Sequence, residues 1–179
     1  LRLARQTIAG HLGLTPDDDS RDQDPSALAA DLFNENRGTF VTLHKHGKLR
    51  GCIGNLEPNH PLEKSIRENA VNAGFKDPRF SPLTAVEFDA VEIEISILTV
   101  PNPLAYETAE ELVERLQPGV DGVVLKKGWA KATFLPQVWE SLSTPDVFLS
   151  HLCQKAGLPA DQWRQADVEV LTYQVQYFE

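Results

Sequence analysis

The run Thr39-Phe40-Val41-Thr42-Leu43-His44, the turn-forming His46-Gly47 and the return Leu49-Arg50-Gly51-Cys52-Ile53 predict a β-hairpin around which the rest of the chain must be built. Side chains two apart on a strand share a face, so Arg50 and Cys52 are expected to look into the same space. The register decides what stands opposite them. A two-residue loop at His46-Gly47 pairs Leu43 with Arg50 and Val41 with Cys52, mixing apolar and polar side chains on one face. A three-residue loop, His46-Gly47-Lys48, pairs Val41 with Ile53 and His44 with Arg50 and segregates better. The second register is the expectation. It puts Val41, Leu43, Leu49 and Ile53 on a core face and Phe40, Thr42, His44, Arg50 and Cys52 on the other.

Along the chain, Leu1, Ala4, Ile8 and Leu12 have helical spacing and Gly13 is a stop. An acidic surface loop is expected over 14–25 and a short helix from about Ser26 to Phe33. Pro61 suits the start of a helix to about Ala73, with Leu62, Ile66, Ala70 and Ala73 as its buried stripe, Glu63 to Arg67 as a favourable pair and Gly74 as its end. Pro78 and Pro82 keep the segment 75–82 irregular. Val91 to Ile97 alternates strictly and predicts a strand. Thr108-Ala109-Glu110-Glu111 opens a helix with a capping box. Strands are expected at 122–126 and 130–134, joined through Lys127-Gly128. A helix then runs from Thr144-Pro145 to Gly157, and a terminal strand spans Val168 to Phe178. Hairpins in sequence with helices, without regular strand–helix alternation, predict an α+β fold with a mostly antiparallel sheet and flanking helices. A single domain over 1–179 is expected, with room for a small lobe.

The bulk numbers narrow the function classes. Hydrophobic residues make up 41% and charged residues 24%, which suits a folded soluble protein. The net charge is −9, so nucleic acid is a poor default partner, because phosphate binding begins with a basic face. Two cysteines, Cys52 and Cys153, form no disulfide framework and point to a reduced, cytoplasmic compartment. No apolar run approaches the roughly 20 residues of a membrane span. The chain contains no methionine and starts at Leu1, so its natural start is expected to lie upstream.

Candidate chemistry gathers on the hairpin. Cys52 is a candidate nucleophile that a cationic Arg50 would favour as thiolate, with His44 as a base; the reading it competes with is a small packing residue between glycines. Arg50, together with Arg79, could anchor a carboxylate or phosphate, or could be tied to Asp77 or Glu57 in a salt bridge. Asp77 is first a turn-former before Pro78 and second an acid or base. His44 and His46 have a chelating spacing, with His60 a distant third. No Cys-x-x-Cys or His-Glu-x-x-His accompanies them, so no metal and no cofactor is expected. Cys153, Trp129, Trp139 and Trp163 read as packing residues.

Leu49-Arg50-Gly51-Cys52-Ile53-Gly54 resembles the signature of the AMMECR domain family, known in prokaryotes as AmmeMemoRadiSam system protein A. Gly38-Thr39-Phe40-Val41-Thr42-Leu43, Asp77-Pro78-Arg79-Phe80, Leu135-Pro136-Gln137-Val138-Trp139, Lys155-Ala156-Gly157-Leu158 and Phe178-Glu179 resemble family segments in the same order, covering roughly Phe33 to the end. The resemblance implies a two-lobed α+β domain, a larger and a smaller part with the signature near a cleft. It implies no established activity. Its partners by resemblance are a Memo-type protein and a radical S-adenosylmethionine enzyme. The expectation is an enzyme or accessory component of a modification pathway, taking an anionic small-molecule, protein or RNA substrate. Catalytic candidates are Cys52, His44 and Asp77, and ligand-binding candidates are Arg50, Arg79, Gly51 and Gly54. The alternative is a non-catalytic interaction module docking through the glycine-rich hairpin and Leu135-Pro136-Gln137-Val138.

Overall fold

The computed structural model describes residues 1–14 and 27–179, the side chains of 27–30 excepted. The acidic loop expected over 14–25 therefore lies, beyond Leu14, outside the described residues. Two compact units emerge, Leu1–Leu98 with Gln176–Glu179, and Thr99–Val175. The first holds α1 (Arg2–His11), α2 (Ala27–Asn34), β1 (Thr39–Lys45), β2 (Lys48–Asn55), α3 (Leu62–Phe75), α4 (Ala85–Phe88) and β3 (Val91–Leu98). The second holds β4 (Asn102–Pro103), α5 (Ala109–Arg115), β5 (Gly122–Lys127), β6 (Ala130–Phe134), α6 (Pro145–Lys155) and β7 (Glu169–Tyr173). The last strand, β8 (Val175–Phe178), returns to the sheet of the first unit. The sheets run β2-β1-β3-β8 and β4-β7-β5-β6. The fold is α+β with antiparallel pairing, as expected, but with two four-stranded sheets instead of one.

The hairpin combines the two registers. Lys45 pairs with Lys48 and His44 with Leu49 across a two-residue turn, whereas Leu43 pairs with Gly51 and Val41 with Ile53. Arg50 is the extra residue of a β-bulge between them. The turn is short because His46 and Gly47 both have positive φ, 52° and 69°, the twist that suits a two-residue hairpin. The bulge then restores the register that puts Gly51 and Ile53 on the core side. Two expectations are corrected: His44 stands opposite Leu49, not Arg50, and Leu49 is 41% exposed instead of core.

The core of the first unit joins Val41, Leu43, Ile93 and Ile95 of the sheet to Ala4 and Ile8 of α1 and to the expected α3 stripe of Leu62, Ile66, Ala70 and Ala73. Arg67 bonds Glu63 at 2.8 Å, as the spacing predicts. The helix continues through Gly74, which is buried against Leu43 and Leu83 and so serves packing instead of ending α3. Buried Asn69 of α3 donates to the Thr39 carbonyl and hydroxyl and to Asn55 Oδ1, at 2.8–3.1 Å. That network stitches the open end of the hairpin to the helix, where an unpaired amide would cost about 1–3 kcal/mol.

In the second unit Trp139 stacks on Phe148 at 3.7 Å and donates its indole N–H to the Asp121 carbonyl at 2.7 Å. Trp163 and Cys153 are buried, as expected. Leu135-Pro136-Gln137-Val138-Trp139 is largely a 3-10 turn whose Pro136 and Trp139 point into the core, so this segment is an internal anchor more than a docking surface. Trp129 departs from expectation: it stands wholly in solvent at the β5–β6 turn. The terminal strand expected over 168–178 breaks at Gln174, because Thr99 holds that residue with two bonds, N–H to carbonyl and amide to hydroxyl, both 2.9 Å. Among the described residues no helix is long and apolar enough to cross a membrane.

Candidate functional site

Every position of the motif Arg50 to Gly54 has a partner that its local structure dictates. Gly51 lies where α3 passes so close that a Cβ would sit 2.2 Å from the Ala73 carbonyl oxygen. Gly54 lies under the Phe40 ring, 2.3 Å from where a Cβ would be. Packing accounts for both glycines, and Ile53 is packed against the core of the first unit.

Arg50, displaced by the bulge, is drawn to the segment that follows α3. Its Nε and Nη2 bond Glu87 at 3.2 and 2.8 Å, and Nη2 also donates to the Ser81 carbonyl at 2.9 Å. Glu87 also receives Lys45 Nζ at 3.1 Å and the Thr84 N–H at 3.1 Å. The Arg50 guanidinium, helped by these donors, lowers the Glu87 carboxyl to about 2 against the desolvation that opposes it. The salt-bridge reading of Arg50 thus holds with a different acid, neither Asp77 nor Glu57.

Asp77 and Arg79 work on the outer side of β2, the edge strand of its sheet. Asp77 Oδ2 accepts the Cys52 N–H at 2.9 Å, and Arg79 Nη2 donates to the Cys52 carbonyl at 3.2 Å. The two side chains also bond each other, Nε to Oδ1 at 2.9 Å and Nη2 to Oδ2 at 2.7 Å. Together they supply Cys52 with the donor and acceptor that a neighbouring strand would, a side-chain clasp on an otherwise open edge. The Arg79 guanidinium holds the buried Asp77 carboxyl far below the usual carboxylate range, so Asp77 is a fixed anion at neutral pH and a weak base.

The Cys52 sulfur is half-buried and accepts a hydrogen bond from the Thr42 hydroxyl at 3.3 Å, directly across the strand pair. The Arg50 guanidinium bonds Ser81 and Glu87 through Nε and Nη2, its buried Nη1 has no partner among the described residues, and the Cys52 sulfur bonds Thr42. His44 sits at the bulge, opposite Leu49 and Glu92. The structure brings Arg79, Asp77 and the Cys52 backbone together and sets Arg50 in a second cluster. Sequence reasoning missed Glu87, Thr42 and Asn69; the Thr84-x-x-Glu87 capping pattern was the signal for the first. Among the described residues no group of three or more His, Cys, Asp and Glu side chains is placed to hold a metal ion.

A model of the AMMECR1 family matches residues 1–178. The chain belongs to the AMMECR1 family. The match includes α1, upstream of the Phe33 boundary drawn from the motifs. Among AMMECR1-like relatives, a protein of Methanothermobacter thermautotrophicus is 38% identical over 183 residues, covering 99% of this chain and 91% of that protein. Protein MJ0810 of Methanocaldococcus jannaschii is 40% identical over 156 residues, covering 83% and 76%. The crystal structure of the uncharacterized protein PH0010 from Pyrococcus horikoshii superposes with a TM-score of 0.80 at 32% identity, covering 98% of this chain and 87% of that one.

Proposed function

We propose that this AMMECR1-family chain is a non-catalytic accessory component of a modification pathway, a folded module that engages partner proteins. The observation that carries the reading is the mutual neutralisation of the motif's charges. Arg50 is bidentate to Glu87 through Nε and Nη2 and Arg79 is bidentate to Asp77, so the charge of each guanidinium is already matched by a carboxylate of the same unit. The motif then specifies a hairpin frame. Its partners are the Memo-type and radical S-adenosylmethionine proteins that the family resemblance implies, in a reducing cytoplasm that suits two free thiols.

A second reading has one observation in its favour: the Cys52 thiol is only half-buried, accepts a hydrogen bond from the Thr42 hydroxyl and is the more accessible of the two cysteines, as a nucleophile requires. The experiment mixes the purified chain with the Memo-type and radical S-adenosylmethionine proteins of its own genome and measures complex mass by light scattering. Complexes formed equally by wild type and Cys52→Ser support the module. Absence of any complex sinks it, and a substrate adduct trapped on Cys52 establishes the nucleophile instead.

A further inference from the structure

In the second unit the sharpest feature is Trp129. It is 105% exposed, whereas Trp139 and Trp163 are 4% and 1% exposed. It occupies the tip of a tight hairpin: Lys127 pairs with Ala130, and Gly128 has a φ of +57°. Such a turn fixes the backbone that carries the indole. Lys126, Lys127 and Lys131 flank it. A fully exposed indole gains from burial, and tryptophan is enriched among the residues that dominate interfaces.

A groove of about 640 Å³ lies in the same unit. Half-buried Tyr106 and buried Val168 line it, joined by a 2.6 Å bond from the Tyr106 hydroxyl to the Val168 carbonyl. Glu107, Glu111, Asp167 and Glu169 also line it, against the single cation Arg115. The groove is thus apolar below and acidic around, and the tip is aromatic with a basic collar. A pocket of roughly 300–1,000 Å³ accommodates ligands larger than an indole.

Tip and groove are also neighbours. Lys127 bonds Asp167 at 2.8 Å and Lys126 lies 3.8 Å from Glu169, so the lysines beside the tip already touch the groove rim of their own chain. Two copies related by a two-fold axis beside that rim bring each tip to the other's groove, a self-complementary contact that closes and does not propagate. We infer that the β5–β6 tip and the groove beside it form a docking pair between two copies of this chain, Trp129 of one entering the Tyr106–Val168 groove of the other. The lysine–carboxylate pairs exchange from within a chain to between chains, so charge pairing is conserved and the indole is buried. The inference is independent of the accessory role.

The test is sedimentation equilibrium of the full chain from about 1 μM to about 1 mM, the range in which small interfaces associate. Acrylamide quenching runs alongside, and it reads Trp129 because the other two indoles are buried. Wild type is expected to dimerise and lose quenching as concentration rises. Trp129→Ala, which removes no internal packing, is expected to stay monomeric with an unchanged Tm. Lys127→Glu is expected to weaken association at least tenfold, and Lys127→Glu with Asp167→Lys to restore it. A wild type that stays monomeric and quenchable throughout overturns the inference, and so does a Trp129→Ala variant that associates as wild type does.

Discussion

The Asp77 carboxylate accepts the backbone N–H of Cys52 at 2.9 Å, while Arg79, two residues further on, closes on the carbonyl of the same residue. Asp77→Ala leaves a buried amide and a guanidinium without their acceptor. It is expected to lower stability by about 1–3 kcal/mol, the range for leaving a polar group without its partner, because Arg79 is half-exposed and keeps the Cys52 carbonyl. Asp77→Asn retains one acceptor and is expected to lose less. Urea unfolding of the two variants beside wild type checks the order.

Asp77 and Glu87 both have folded-state carboxyls below their ordinary values, Glu87 at about 2. Unfolding then takes up protons in acid, so the stability these groups supply is complete above the unfolded carboxylate range of about 4 and is lost as pH falls from there through 2. A double variant, Asp77→Asn with Glu87→Gln, is expected to be weaker at neutral pH and to show a shallower decline between about pH 5 and pH 2. Chemical denaturation at a series of pH values measures the slope.

Glycine-to-alanine changes should have opposite signs at two positions. Gly51→Ala drives a Cβ to 2.2 Å from the backbone oxygen of Ala73, a clash that no side-chain rotation relieves. A loss of roughly 2–3 kcal/mol is expected, as for overpacking elsewhere. Gly10 sits in α1 with no atom within 4 Å of the added carbon. Gly10→Ala is expected to gain about 0.5–1 kcal/mol. Melting temperatures of both variants decide it.

His46 is the one described residue other than glycine with a positive φ, 52°. His46→Gly or His46→Asn relieves the steric cost at this turn and is expected to stabilise by roughly 0.5–1 kcal/mol. A fall in Tm with either variant would show that the imidazole makes a contact worth more than the strain.

Iodoacetamide should label one thiol in the folded chain. Cys52 is half-buried and Cys153 fully buried, with burial pushing the Cys153 thiol up. Cys52→Ser is expected to abolish labelling of the folded chain, leaving Cys153 unmodified. Mass spectrometry after trypsin digestion locates the label and its rate.

Patterns of period two and three and a half carried the fold into the sequence. The alternation of Val91 to Ile97 and the stripe of α3 needed no tertiary information, because burial of one face imposes them. The bulge at Arg50 was not legible, since either register alone satisfied part of the apolar pattern and only the φ values of His46 and Gly47 select the short turn. The partner of Arg50 was hidden for another reason. Glu87 is 37 residues away, and its helix is a single turn. Asp77 and Arg79 were singled out for chemistry when the open edge of β2 was what required them. An edge is a property of strand order, which local sequence does not carry.

Because β8 completes the sheet begun by β1 to β3, one outer strand of the first unit is encoded after the whole of the second. A ribosome emits the whole second unit before that strand emerges. During synthesis the flank of β3 stays bare while the rest of its sheet is already available, so the nascent chain cannot finish its first unit early. Deleting 175–178 removes an outer strand of the first unit's sheet.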